Sequence, residues 1–155
     1  MYPIIRRVNE NPISFVDLVG LARLRVAERQ RQALAERGFE PFRRGDGAWV
    51  RILAEGPLTI GEVAAIIGQT PQNATRVADG LEQRGYVERI LDGGDRRRVV
   101  LQLTPLGHGY AQAFTEVVEE LEREIAALVD QADLHGAFRA LGAIVDELPA
   151  PNAKG

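Results

Sequence analysis

Between residues 14 and 37 apolar side chains return every three or four positions, at Phe15, Leu18, Val19, Ala22, Val26 and Ala33. That period is the signature of an amphipathic helix. Ser14 with Asp17 three residues on supplies a start, and Gly38 suits the stop. Residues 39–47 read as a loop. A second helix is expected from about Gly47 to Ala54, stopped by Glu55-Gly56-Pro57. Thr59-Ile60-Gly61-Glu62 is a capping box that opens a short helix ending at Gly68. Thr70 and Pro71 then open another, with Ala74, Val77, Ala78 and Leu81 on one face and an end at Arg84-Gly85. Two short helices meeting at a Gly-Gln-Thr-Pro turn predict a helix-turn-helix.

The period then drops to two. Residues 86–90 and 98–104 read as strands, the second with Val99, Leu101 and Leu103 on one face. Between them Leu91-Asp92-Gly93-Gly94-Asp95 has the glycines a hairpin loop needs. A helical pair followed by a hairpin is a winged helix-turn-helix. Thr104 and Pro105 open a long helix expected to reach about Asp130. Its apolar stripe is narrow: Leu106, Tyr110, Phe114, Val117, Leu121, Ile125 and Leu128. Such stripes serve one helix against another. A last helix carries Leu134, Phe138, Leu141, Ile144, Val145 and Leu148, and residues 149–155 read as a frayed tail. The fold class is mainly α: residues 1–155 form one domain around a winged-helix region at 47–104.

Composition narrows the function mostly by exclusion. The chain has no cysteine, so a disulfide framework, a thiol nucleophile and a cysteine redox sensor are all ruled out. The apolar run at the N-terminus is too short for a signal peptide, and no stretch nears the roughly 18 apolar residues of a membrane span. A cytosolic protein without membrane contact is expected. His108 and His135 stand on different helices without a ligand cluster, so no metal and no cofactor are expected. There is no catalytic triad, paired-carboxylate motif or phosphate-binding glycine loop, and no enzyme is expected.

The net charge of −3 hides an asymmetry. Residues 1–54 carry ten arginines against six acids, and residues 110–155 three basic residues against nine acids. Acidity collects at the C-terminal end and leaves room for local positive potential elsewhere, which is what a DNA-binding surface needs. Against that background three consecutive arginines, Arg96, Arg97 and Arg98, sit at a hairpin tip.

From Gly56 to about Tyr110 the sequence resembles the MarR family of bacterial transcriptional regulators. The resemblance rests on Leu58-Thr59 with Glu62-Val63-Ala64, on the run from Arg76 to Glu82, on Arg84-Gly85-Tyr86-Val87-Glu88-Arg89, and on Asp95-Arg96-Arg97 ahead of Thr104. It implies a homodimer interlocked through N- and C-terminal helices, here about 14–37 and 105–148, bound to double-stranded DNA. Three features depart from the family's habits: Gly93-Gly94 stand where a wing proline is common, Gly80 where a basic residue is common, and residues 43–47 lack a Thr-x-x-Gln pattern.

The outward face of the helix after Thr70 presents Gln72, Asn73 and Arg76, with Thr70 and Thr75 beside them. Gln and Asn can pair twice with adenine and Arg with guanine, while a helix start suits a phosphate. The bland alternative is a solvated polar face. By resemblance Arg97 enters the minor groove and Asp95 orients it, with Arg96 and Arg98 meeting phosphates or turning back onto the domain. Arginine is well matched to a narrow, negative minor groove. Phe39, Phe42 and Trp49 are candidates to line a pocket for a small aromatic effector, although a lone Trp is more often core. The leading expectation is a dimeric, sequence-specific regulator, most simply a repressor, on a pseudo-palindromic site. The competing one is a winged-helix module that binds protein instead.

Overall fold

A computed structural model describes residues 6–8, 11–39, 43, 45–94 and 97–148. Phe42, Asp95, Arg96 and the tail at 149–155 lie outside the described residues. The chain order is β1 (Arg6–Val8), β2 (Asn11–Ile13), α1 (Phe15–Glu36), α2 (Asp46–Ala54), α3 (Ile60–Ile67), α4 (Pro71–Gln83), β3 (Val87–Leu91), β4 (Val99–Leu103), α5 (Pro105–Ala126) and α6 (Gln131–Glu147).

The local signals act where the sequence places them. Ser14 and Asp17 cap α1 reciprocally, and Thr59 and Glu62 do the same for α3. The side chains of Thr70 and Thr104 accept from Asn73 and Gly107 backbone N–H groups, with proline in the first turn of each helix. β3 and β4 pair antiparallel from Val87↔Leu103 to Leu91↔Val99, and an antiparallel bridge between Leu58 and Leu101 extends this small sheet on the other side of β4.

Three expectations change. The antiparallel pair β1–β2, with Arg6 opposite Ile13, was not anticipated. α5 stops at Ala126, short of Asp130, because Asp130 is the N-cap of α6 and accepts from the Asp133 N–H at 2.8 Å. The α5 stripe is also divided. Tyr110, Phe114, Val117 and Leu121 are buried within the chain, whereas Leu106, Ile125 and Leu128 are exposed. Its middle is therefore core of the single chain and does not wait for a partner.

That core joins α2, α3, α4, the sheet and α5, with Leu34 the one buried residue of α1. Two close approaches depend on glycine. A Cβ at Gly47 would stand 2.1 Å from Cζ of Phe114, and one at Gly107 would stand 1.9 Å from the Tyr86 carbonyl oxygen. These contacts bring α2 and the start of β3 tightly onto α5, so the winged-helix region and the long helix form one packed body.

α6 is the exception. It has no buried residue, and Phe138, Leu141, Val145 and Leu148 are exposed. On α1, Phe15, Leu21 and Leu24 are exposed. A largely apolar cleft of about 930 Å³ lies along α1 and α6, with Leu18, Val19, Val26, Ala137 and Leu141 in its walls.

Candidate nucleic-acid interface

The α4 helix owes its position to its own sequence. Ala74, Ala78 and Leu81 are buried, which turns the opposite side to solvent. Gln72 and Arg76 are exposed on that side, one helical turn apart, and Asn73 is half-buried beside them. Arg76 donates from Nη2 to Oδ1 of Asn73 at 2.7 Å, so the guanidinium is already held against its neighbour. Thr70 takes the capping role, accepting from the Asn73 N–H at 3.3 Å. Thr75 donates its hydroxyl to the Pro71 carbonyl at 3.0 Å, which turns that hydroxyl back onto its own helix. Gln72, Asn73 and Arg76 are thus the side chains of this set that offer groups for reading base edges.

The wing is fastened at both of its strands. Arg89 of β3 pairs with Asp79 and Glu82 of α4. Arg98, just before β4, pairs with Glu62 and, at 3.1 Å, with Asp92. Glu62 also accepts from the Thr59 N–H at 2.8 Å and the Thr59 hydroxyl at 2.9 Å. The Thr59 backbone bond, followed by Arg98, holds the Glu62 carboxyl below its ordinary range. One carboxylate therefore caps α3 and anchors the wing. Arg98 is here turned back onto the domain. Arg97 is exposed. Its expected partner Asp95, like Arg96, lies outside the described residues.

A buried ion pair was not foreseen. Arg84, at the end of α4, grips Asp46, at the start of α2, through two hydrogen bonds: Nη1 to Oδ2 at 2.7 Å and Nη2 to Oδ1 at 2.9 Å. The side chains are 9% and 2% exposed, so the pair is buried. Asp46 also accepts from the Arg43 N–H at 3.0 Å, and Arg84 donates from Nε to the Gly80 carbonyl at 2.8 Å. The bond to Asp46 pushes the Arg84 pKa up. Breaking one partner of such a pair leaves a buried uncompensated charge. It is the polar lock that sets α4 against α2.

The aromatic candidates separate. Trp49 is fully buried, and its indole N–H donates to Oε1 of Gln69 at 3.1 Å, so it is a core residue. Phe39 is half-buried against Tyr110, with ring centroids 5.3 Å apart, and Tyr110 stacks on Tyr86 at 4.5 Å. Among the described residues the Tyr110 hydroxyl is buried without a hydrogen-bond partner, and burial pushes its pKa up. Among the described residues no group of His, Asp and Glu could hold a metal ion, and no helix is long and apolar enough to cross a membrane.

Comparison with known proteins agrees with this geometry. Residues 50–98 match the MarR family model. The transcriptional repressor MprA of Escherichia coli (strain K12) is 47% identical over 49 residues, covering 32% of this chain and 28% of that protein. The chain thus matches little more than a quarter of the length of this curated relative. Among solved structures, the Staphylococcus aureus MepR–DNA complex superposes with a TM-score of 0.72 at 19% identity, covering 88% of this chain and 99% of that one. The transcriptional repressor CouR bound to p-coumaroyl-CoA gives 0.73 at 21% identity, covering 86% and 93%. Likeness at these identities establishes the fold: α1 to α6 follow the architecture of those two structures.

Proposed function

We propose that this chain, whose winged-helix region belongs to the MarR family, is a sequence-specific double-stranded-DNA-binding transcriptional regulator, acting as a repressor and as a homodimer. The observation that carries the reading is the α4 face. Gln72, Asn73 and Arg76 are turned outward on a helix held by the Asp46–Arg84 pair, beside a wing tied down through Arg89 and Arg98. Two further elements belong to the reading: Arg97 on the wing enters the minor groove, and Asp95 orients it. A major-groove helix with base-reading side chains at its start and a cationic wing beside it is a complete recognition unit.

The dimer rests on a different part of the chain. Residues 14–37 and 105–148 are the dimerisation helices and 47–104 the DNA-binding region. Within this division α6 and the first half of α1 supply the interface, since Phe138, Leu141, Leu24 and Phe15 are exposed in the single chain. A two-fold dimer presents two α4 helices symmetrically, so the operator is a pseudo-palindrome with half-sites about one helical turn apart. Footprinting tests this: paired protections at that spacing are expected, and protection of one isolated half-site contradicts it.

A small aromatic effector is a second element of the proposal. It is favoured by the row Phe39, Tyr110 and Tyr86, which ends on the Arg84 guanidinium 5.4 Å from the Tyr86 ring, and by the unpartnered Tyr110 hydroxyl. Trp49 is the only tryptophan, so its emission reports on binding. Millimolar salicylate-like compounds that change neither that emission nor DNA affinity would remove this element and leave the rest intact.

A further inference from the structure

Gly80 lies one turn beyond Arg76 along α4, on the edge of the exposed face that turns toward α2. Here the recognition helix carries no side chain, yet two guanidinium groups converge on the space. A Cβ built at Gly80 would lie 3.8 Å from Nη2 of Arg84 and 3.9 Å from Nη1 of Arg43. The two arginines differ in charge balance. Arg84 is neutralised by the buried Asp46 carboxylate. Arg43 is exposed and forms no ion pair among the described residues. Asp79, next to Gly80 on α4, is already paired with Arg89.

The backbone under Arg43 is also fixed. Its N–H donates to the Asp46 carboxylate at 3.0 Å, and Asp46 is held by Arg84 from α4 itself. A loop residue ahead of α2 is thereby fastened to the recognition helix, with its charge laid over the one smooth position on that edge. A cation at the edge of a groove-reading helix, and not at its centre, faces the sugar–phosphate backbone and not the base edges.

We infer that Arg43 is a DNA-phosphate-binding residue that acts at the Gly80 position of the recognition helix, its backbone set by the Asp46–Arg84 pair. The inference rests on the DNA-binding reading above. A dimer presents two Arg43 side chains, and each phosphate neutralised adds about −0.9 to the slope of log affinity against log salt. Arg43→Ala should therefore make that slope shallower by about 1.8, so that its relative loss changes roughly tenfold between 50 and 200 mM salt. The loss should be the same on any sequence.

The test is a salt titration of binding to a duplex selected in vitro with the wild-type protein and to a scrambled duplex, with melting temperatures alongside. Arg43→Ala should melt as the wild type does, lose slope on both duplexes and keep their affinity ratio. Arg43→Ala with Gly80→Arg moves the cation onto the helix itself and should restore the slope. An unchanged slope in Arg43→Ala, a loss confined to the selected duplex, or no recovery in the double variant overturns the inference while the regulator reading stands. A wild type whose binding to duplex DNA shows no salt dependence overturns both.

Discussion

The winged-helix region and the terminal helices are built on opposite terms. From α2 to the start of α5 the chain closes on itself: Trp49, Leu81, Tyr86, Leu101 and Tyr110 are buried, and a carboxylate and a guanidinium are buried together at Asp46 and Arg84. α6 buries nothing, and α1 buries Leu34 alone. The surface pairs Arg29–Glu124 and Arg37–Glu120 tie α1 to α5, but exposed pairs are worth only about 0–1 kcal/mol each. One region is a finished fold carrying a polar reading face. The other is an amphipathic pair whose apolar side is left exposed among the described residues. In the proposed function, recognition and assembly are therefore separable.

The contrast breaks most sharply at the buried pair. Asp46→Ala should destabilise the protein by about 3–5 kcal/mol, because Arg84 is left charged and unpaired in the core. Thermal unfolding checks this, and the double variant Asp46→Leu with Arg84→Met should recover much of the loss. A single variant that melts as the wild type does would show that α2 and α4 are held by apolar packing alone.

The other region should respond in the opposite sense. Phe138→Glu with Leu141→Glu places charges where a second copy would bury them, at a cost of several kcal/mol to association. Sedimentation should show a monomer at micromolar concentration, while amide exchange at Ala78 and Leu101 stays slow. A persisting dimer would move the interface away from α6.

How much of this was readable beforehand follows the range of the signals. The capping residues Thr59, Thr70 and Thr104 act within three positions of themselves, and the change of period from α4 to the wing is local, so the winged helix was legible. The end of α5 was not, because Ile125 and Leu128 prolong the stripe and only the Asp130 cap breaks it. The β1–β2 pair sits in RRVNENPI, which has no glycine and no clean alternation. Asp46 and Arg84 are 38 positions apart, and each alone resembles solvated surface. Nothing local announces such a pair. A similar separation hid the meeting of Arg43 with Gly80.

Smaller effects sharpen the picture. Gly80→Ala should raise stability by about 0.5–1 kcal/mol, since its Cβ meets nothing closer than 3.8 Å and glycine is a poor helix former. A lower melting temperature would mean that the close approach of the two guanidinium groups needs the bare position. Glu62 gives the mildest effect. Its folded-state carboxyl titrates below the ordinary value of 4.5, so its contribution is complete above that pH and is lost as pH falls further, through the folded value. Stability of Glu62→Gln should accordingly decline less than that of the wild type below about pH 4.5. Parallel decline of the two proteins would remove Glu62 from the acid response.

The central claim is that α4 reads sequence and that the wing adds groove affinity. Affinity should be measured for a selected pseudo-palindromic duplex and its scramble at two salt concentrations, for wild type, Arg76→Ala and Arg97→Ala. Wild type should favour the selected duplex by about 10³-fold or more and weaken steeply with salt. Arg76→Ala should cost about 1–3 kcal/mol and relax preference at one position per half-site. Arg97→Ala should bind both duplexes much more weakly while its stability changes by less than about 0.5 kcal/mol. Equal affinity of the wild type for the two duplexes, with no effect of Arg76→Ala, would contradict sequence reading by α4 and leave the winged helix as a protein-binding module.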